Sequence, residues 1–116
     1  MPCLQVFVNV KISDEQKKSL LTKLTAAINQ TTGKPKAYIM VLIQDNHCMS
    51  FADTTEPCAL MDFRSIGCID RSKNKKHSAT FSKILSDELN IPVNRIYISF
   101  ANAPAENWGY DGDTFA

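Results

Sequence analysis

The chain carries the pattern of a strand, a helix and a second strand twice in succession, and this repetition constrains the fold more than any other feature. In the first unit, apolar residues alternate from Leu4 to Val10 as they do in a strand. A helix is predicted next, and the apolar segment Tyr38 to Ile43 predicts a second strand covered on both faces. With 116 residues, the chain is predicted to form one domain, 1–116, of the α/β (α+β) class.

The first predicted helix has a signal at each end. Ser13 and Gln16 form a capping-box pattern, in which each side chain bonds an exposed backbone amide of the first turn. Because Gly33 and Pro35 interrupt the pattern, the helix is expected to run to about Thr31. Its apolar stripe, predicted to face the core, consists of Leu20, Leu21, Leu24, Ala27 and Ile28.

The second unit repeats this order without obvious residue identity. A strand is predicted from about Ala59 to Ile66, and a helix capped by Ser72 or Asn74 follows it. That helix is expected to end at Asn90-Ile91-Pro92, and alternation over 96–101 predicts the last strand. The helix's apolar stripe is Phe81, Ile84, Leu85 and Leu89.

Two such units predict a four-stranded mixed sheet with both helices on one face, because parallel crossovers are right-handed. The other face would then be bare, although the strands place apolar residues there. These include Phe7, either Met40 or Val41, and either Leu60 or Met61. Since a soluble monomer rarely exposes a large apolar patch, the pattern predicts oligomerisation.

The C-terminal segment from Trp108 to Phe115 is short, aromatic and glycine-containing. Asp111-Gly112 within it suits the tight turn of a hairpin. We expect this segment to pair with the sheet edge of a neighbouring subunit.

Composition and local chemistry argue against several classes of protein. The formal net charge of +1 indicates neither a nucleic-acid partner nor insertion into a membrane. The segment Met1-Pro2-Cys3-Leu4-Gln5 lacks the basic and apolar runs that are typical of a signal peptide, so synthesis in the cytosol is expected. His47 and Cys48 would point to opposite sides of a strand, so no metal site is expected. The four cysteines are predicted to be reduced and mostly buried, and the basic cluster Arg71, Lys73, Lys75 and Lys76 is predicted to be solvated.

Six short segments, in order over the whole chain, form a further pattern. They are Met1-Pro2-Cys3, Thr32-Gly33-Lys34-Pro35 with Tyr38, Glu56-Pro57-Cys58-Ala59-Leu60, Ser65-Ile66-Gly67, Arg95-Ile96-Tyr97-Ile98, and Asn107 through Thr114-Phe115-Ala116. Each would be weak evidence alone. Together they make the chain resemble the macrophage migration inhibitory factor family of the tautomerase superfamily.

The resemblance implies a homotrimer whose sheets surround a central channel, with each active site at a subunit boundary. It also implies a cofactor-independent keto-enol tautomerase acting on phenylpyruvate- or dopachrome-type compounds. Pro2 would be the general base once Met1 is removed. Without the resemblance, Pro2 would simply be a small residue that permits removal of Met1.

The same resemblance assigns the remaining site residues. Lys34 would pair with a substrate carboxylate, and the backbone amide of Ile66 would hold an oxygen of the substrate. The aromatic walls and the rim of the pocket would be formed by Tyr38, Tyr97, Ser99, Trp108 and Phe115. The alternative for Lys34 is a solvated turn lysine, and for the aromatic residues it is ordinary core or interface packing.

Three positions depart from the family pattern. Met61 replaces a cysteine, so the dithiol linked to redox chemistry in some members cannot form there. Ser99 replaces an asparagine, which leaves substrate preference open. Ala52-Asp53 replaces a glycine pair and is expected to alter only a surface loop.

Two functions follow from the resemblance. The first is the tautomerase, and the second is a signalling ligand, on a scaffold with little physiological enzyme activity, that engages a CD74-like cell-surface receptor. The second function implies a protein that is both cytoplasmic and secreted without a signal peptide. Both functions are compatible in one trimer, because its outer surface and its pockets are separate.

Overall fold

One four-stranded sheet organises the fold. In this computed structural model, which describes residues 1–116, the strands are β1 (Cys3–Val8), β2 (Met40–Gln44), β3 (Ala59–Ser65) and β4 (Ile96–Asn102). Their order across the sheet is β2-β1-β3-β4. β1 runs parallel to β2 and β3 runs parallel to β4, whereas β1 and β3 are antiparallel. The predicted mixed sheet is therefore confirmed.

Two helices, α1 (Asp14–Thr32) and α2 (Arg71–Leu89), pack against each other on one face of this sheet. The predicted start of α1 is confirmed, because the Gln16 amide donates to Ser13 Oγ at 3.1 Å and the Gln16 side chain accepts from the Ser13 amide. The helix ends at Gly33, whose φ of 69° is the left-handed conformation that glycine adopts readily. Neither helix is sufficiently long and apolar to cross a membrane.

The start of α2 differs from the prediction. Its N-cap is Asp70, whose carboxylate accepts the Lys73 amide at 2.8 Å, and not Ser72 or Asn74. Aspartate caps helices about as well as serine or asparagine, so residue type alone did not distinguish these positions. The end is as predicted, with Asn90 in the left-handed conformation.

The start of β2 also differs. Tyr38 lies in a 3-10 turn, Lys36–Tyr38, because its amide donates to the Pro35 carbonyl at 3.0 Å. The strand begins at Met40 and occupies an edge of the sheet. In the single chain only one face of β2 is covered, so the prediction that both of its faces are buried is wrong for the isolated subunit. At their C-terminal ends, β1 and β3 are slightly shorter than predicted.

The core lies between the sheet and the helices. Alternate residues of β1 and β3 point into it, and Phe63 and Phe81 are its largest fully buried side chains. Val41 and Met61 face this core, which settles the alternatives left open by the sequence.

The opposite face of the sheet is open and partly apolar. Met40 is 60% exposed, Leu60 40% and Tyr97 66%, whereas Phe7 is half-buried. The predicted bare face is thus present. The prediction that the four cysteines are mostly buried is wrong, because only Cys58 is buried. The other three lie at strand or loop positions outside the core.

The C-terminal segment forms the predicted hairpin, with β5 (Gly109–Tyr110) paired to β6 (Asp113–Thr114). Asp111 and Gly112 have φ values of 53° and 75°, as a two-residue hairpin turn requires. The Phe115 amide donates to the Trp108 carbonyl at 3.2 Å. This bond holds the end of the chain next to its own hairpin.

Candidate active site

Pro2 lies at a cavity of about 300 Å³ formed by the two ends of the chain together with residues 37–40. The residue is buried, and its carbonyl accepts the Met40 amide at 3.0 Å, which fixes the N-terminus beside the start of β2. Tyr38, Trp108 and Phe115 line the same cavity. The structure therefore brings together four of the residues predicted for the site.

The aromatic side of this cavity is a cluster of three rings. Tyr38 meets Tyr110 at 5.4 Å and Phe115 at 6.0 Å, both edge to face, and Tyr110 stacks on Phe115 at 5.2 Å. Such contacts stabilise each ring in one orientation. Tyr110 was missed by the sequence analysis, although its place directly before the Asp111-Gly112 turn could have indicated that it folds back with Phe115.

Lys34 follows the left-handed Gly33, and its backbone is held on both sides. Its amide donates to Thr32 Oγ1 at 3.1 Å, and its carbonyl accepts Asn29 Nδ2 at 2.7 Å. Burial, followed by the positive charge of Lys34, lowers the pKa of the N-terminal amine below its ordinary value of 8.0. Lys34 thus acts electrostatically on the N-terminus.

The amine in this structure belongs to Met1, so the Pro2 nitrogen is part of an amide and has no basic lone pair. The Met1 amine nevertheless reports the environment near Pro2. That environment favours the neutral form of an amine, through loss of water and a neighbouring cation.

Ile66 follows β3 directly and opens a tight turn. Gly67 and Cys68 both have positive φ, and the turn is held by the Gly67 amide, which donates to Asn102 Oδ1 at 2.9 Å. Cys68 Sγ donates to the Thr32 carbonyl at 3.5 Å, which connects this turn to the end of α1 beside Lys34. The Ile66 amide donates to no other group of the chain, so it is free to bind an oxygen atom.

Tyr97 and Ser99 do not join this group within one chain. Both lie on the open face of β4, at the sheet edge opposite to β2. Tyr97 pairs in register with Leu60, which pairs with Phe7, so its backbone is about 15–20 Å from Pro2 by strand spacing. A site that contains both Pro2 and Tyr97 would require two chains.

Tyr97 instead lines a second cavity of about 330 Å³. Phe51 lines it too, and the two rings are 4.6 Å apart with an angle of 60° between their planes. Phe51 was not predicted, because nothing in the sequence of the loop between β2 and β3 indicates which of its residues turns back to β4. Ala52 and Asp53 are both exposed, as expected of a surface loop, and Ala52 also lines this cavity with Tyr97.

Comparison with known proteins agrees with this architecture. The family model described as "Macrophage migration inhibitory factor (MIF)" matches residues 1–116. Macrophage migration inhibitory factor of Xenopus tropicalis is 40% identical over 116 residues, which cover 100% of both chains. The homolog from Brugia malayi is 31% identical over 115 residues and covers 99% of each chain.

Solved structures give the same result for the fold. The macrophage migration inhibitory factor homologue of Prochlorococcus marinus superimposes with a TM-score of 0.95 at 32% identity, covering 98% of this chain and 99% of the other. The Toxoplasma gondii protein gives 0.94 at 33% identity, with 97% and 99% covered. Sequence and fold thus agree over essentially the full length of each relative, and the chain belongs to the macrophage migration inhibitory factor family.

Proposed function

We propose that this protein is a cofactor-independent keto-enol tautomerase in which Pro2, exposed by removal of Met1, is the general base. The observation that carries the proposal is the position of Pro2, buried at an aromatic cavity of about 300 Å³. The flat rings of Tyr38, Trp108 and Phe115 favour an aryl substrate. Phenylpyruvate- and dopachrome-type compounds fit that description.

The basicity of the proposed catalytic amine matches this chemistry. An unperturbed α-amino group has a pKa of about 8, so only about a tenth of it is free base at pH 7. Lowering the pKa by about two units would make the free base dominant and requires about 2.7 kcal/mol. Burial and the charge of Lys34 act in this direction on an amine at the N-terminus.

In the proposed reaction, the Pro2 nitrogen removes a proton from the carbon next to the substrate carbonyl. The electron pair of that C–H bond forms the carbon–carbon double bond of an enolate, whose negative charge the Lys34 ammonium stabilises. The Ile66 amide holds the carbonyl or carboxylate oxygen. The protonated proline then returns the proton to the enolate oxygen, so the reaction consumes no co-reactant.

We further propose that the working form is a homotrimer. The open sheet face exposes Met40 and Leu60, and burying such apolar surface favours association. In an assembly, Tyr97 and Ser99 of one subunit would complete the Pro2 cavity of the next. This arrangement would explain why one chain carries these residues on separate sheet edges.

The decisive experiment is phenylpyruvate tautomerase activity on protein whose N-terminus is verified by mass spectrometry. Proline-first protein is compared with protein that retains Met1 and with a Pro2→Gly variant. We expect activity in the proline-first form, little in the Met1 form, and a large loss in Pro2→Gly. Equal rates in all three would overturn the assignment of Pro2.

The relatives' shared name, migration inhibitory factor, denotes an effect on other cells, and this favours a second candidate function. In that case the protein would be made in the cytosol, secreted without a signal peptide, and recognised by a CD74-like receptor. The experiment adds tautomerase-inactive Pro2→Gly protein to receptor-bearing cells. A signal that persists without catalysis supports this function, and the absence of binding to any such cell contradicts it.

A further inference from the structure

Arg95 makes an unusual set of contacts at the base of β4. Its guanidinium donates to four backbone carbonyls: Nε to Pro57 at 2.9 Å, Nη1 to Phe51 at 3.1 Å, and Nη2 to Glu56 at 3.0 Å and Thr54 at 3.4 Å. No carboxylate pairs with it. The five N–H groups of arginine lie in a rigid planar fork, so one side chain can hold several carbonyls in a fixed arrangement.

These carbonyls belong to the loop between β2 and β3, whose Thr55 and Glu56 carbonyls also accept Asn9 Nδ2 at 3.0 Å each. Between β2 and β3, its only strand-like pairing is the bridge of Phe51 with Thr54, which closes a two-residue turn. The turn residues, Ala52 and Asp53, both have positive φ, which costs free energy for residues other than glycine. Arg95 is the only side chain from outside the Phe51–Thr54 turn that bonds its carbonyls, so the conformation of this turn depends strongly on Arg95.

This loop presents Phe51 to Tyr97. The Arg95 guanidinium carbon lies 5.3 Å from the centre of the Phe51 ring, and the centre of the Tyr97 ring lies 4.6 Å from that of Phe51. Tyr97 is 66% exposed, so within one chain it has few other contacts that would fix its orientation. Arg95, Phe51 and Tyr97 thus form one continuous chain of contacts.

We propose that Arg95 is a positioning residue that orients Tyr97 through Phe51, and that Phe51 and Tyr97 together determine preference for aryl substrates. The proposal rests on the function proposed above, in which Tyr97 contributes to a neighbour's Pro2 cavity. Arg95 itself touches no reacting atom. Its effect is on the affinity for an aryl group and not on proton transfer.

The kinetic test compares phenylpyruvate with an aliphatic 2-keto acid of similar size in proline-first protein. Arg95→Met retains the side-chain length without the donors. We expect the KM for phenylpyruvate to rise about 5- to 10-fold, as loss of one aromatic contact would cause, with kcat nearly constant. The KM for the aliphatic acid is expected to change less than about twofold.

Matched variants separate positioning from general destabilisation. Phe51→Leu should reproduce the effect of Arg95→Met, and Phe51→Tyr should retain the wild-type preference for phenylpyruvate. The double variant with Arg95→Met and Phe51→Leu should raise the KM little more than either change alone, because both changes break one chain of contacts. Arg71→Met is the control, since Arg71 is exposed and forms no ion pair. Equal KM increases for both substrates, or full additivity, would overturn the proposal.

A readout that needs no activity distinguishes this proposal from the proposed function. In protein with 13C-labelled tyrosine rings, the Tyr97 signals, identified with Tyr97→Phe, should move in Arg95→Met and Phe51→Leu, while those of Tyr38 and Tyr110 stay in place. If Arg95→Met does not fold, Arg95→Lys and Phe51→Leu provide the same comparison. If the Tyr97 signals do not move in the variants, the positioning role is overturned, even when the wild type is an active enzyme. If the signals move but the wild type has no tautomerase activity, the positioning role is supported and the tautomerase assignment fails.

Discussion

The Nε2 atom of His77 lies 3.0 Å from the carbonyl oxygen of Cys68, which joins α2 to the turn that follows β3. A carbonyl oxygen can only accept, so Nε2 carries the hydrogen. His77 is fully buried and stacks on Phe81, with ring centres 5.6 Å apart and planes within 9°. Together with the bonds that Gly67 and Cys68 donate, His77 thus fixes the turn that presents the free amide of Ile66.

Replacing His77 should both destabilise the protein and loosen this turn. We expect His77→Leu to lower the free energy of unfolding by about 1–3 kcal/mol, because the Cys68 carbonyl loses its donor and the stack is lost. His77→Gln keeps a donor near the position of Nε2 and should lose less. Urea denaturation of the two variants measures the difference, and equal losses would show that packing, and not the hydrogen bond, holds the turn.

Lys34 should set the pH dependence of the proposed reaction. Because its charge lowers the pKa of the N-terminal amine, Lys34→Gln should raise that pKa and leave less free base at neutral pH. The rising limb of the kcat/KM profile of proline-first protein should then move to higher pH. Lys34→Arg retains the charge and should keep the wild-type midpoint. A midpoint that does not move in Lys34→Gln would limit Lys34 to substrate binding.

The turn at Ala52-Asp53 offers a simple gain in stability. Both residues adopt positive φ, which costs alanine about 1–2 kcal/mol, whereas glycine adopts it freely but loses about 0.5–1 kcal/mol more chain entropy on folding. We expect Ala52→Gly to stabilise the protein by roughly 0.5–1 kcal/mol. Asp53→Gly should give less, since aspartate tolerates this conformation better. Thermal unfolding of both variants tests the order, and a loss of stability in Ala52→Gly would contradict it.

Local signals in the sequence predicted most of the fold. Ser13 and Gln16 placed the start of α1 because a capping box is a contact between residues three positions apart, which sequence spacing reveals directly. Asp70 was missed as the cap of α2 because several competent capping residues lie close together there. Tyr38 was assigned to β2 because the apolar residues from Tyr38 to Ile43 form one continuous run, which does not reveal the turn that Pro35 initiates.

The site was less predictable than the fold, because it depends on contacts between distant parts of the chain. Pro2 meets Trp108 and Phe115 only after the sheet has formed, and these residues were recognised through the family resemblance. Arg95 matched the family pattern but received no role, since its acceptors are backbone carbonyls nearly forty residues away, which leave no trace in residue type. Phe51 was missed because its contact with Tyr97 is likewise distant in sequence, whereas the position of Tyr110 directly before the Asp111-Gly112 turn was a local signal that was not used.

Glu88 should contribute to the loss of stability in acid. Hydrogen bonds from the Lys23 ammonium and then the Ser19 hydroxyl lower the pKa of Glu88 below its ordinary value of 4.5. Because the folded-state pKa is the lower one, this contribution is complete above the unfolded-state pKa and is lost as pH falls through the folded-state pKa. The free energy of unfolding should therefore decline from about pH 5 downwards.

Glu88→Gln cannot ionise but keeps an acceptor, so its decline between about pH 6 and pH 3 should be shallower than that of the wild type, as measured by urea midpoints. Glu106→Gln, at an exposed residue without an ion pair, should decline as steeply as the wild type. If Glu88→Gln and Glu106→Gln have the same pH dependence, the Lys23–Glu88 pair between α1 and α2 does not stabilise the folded protein through its charge.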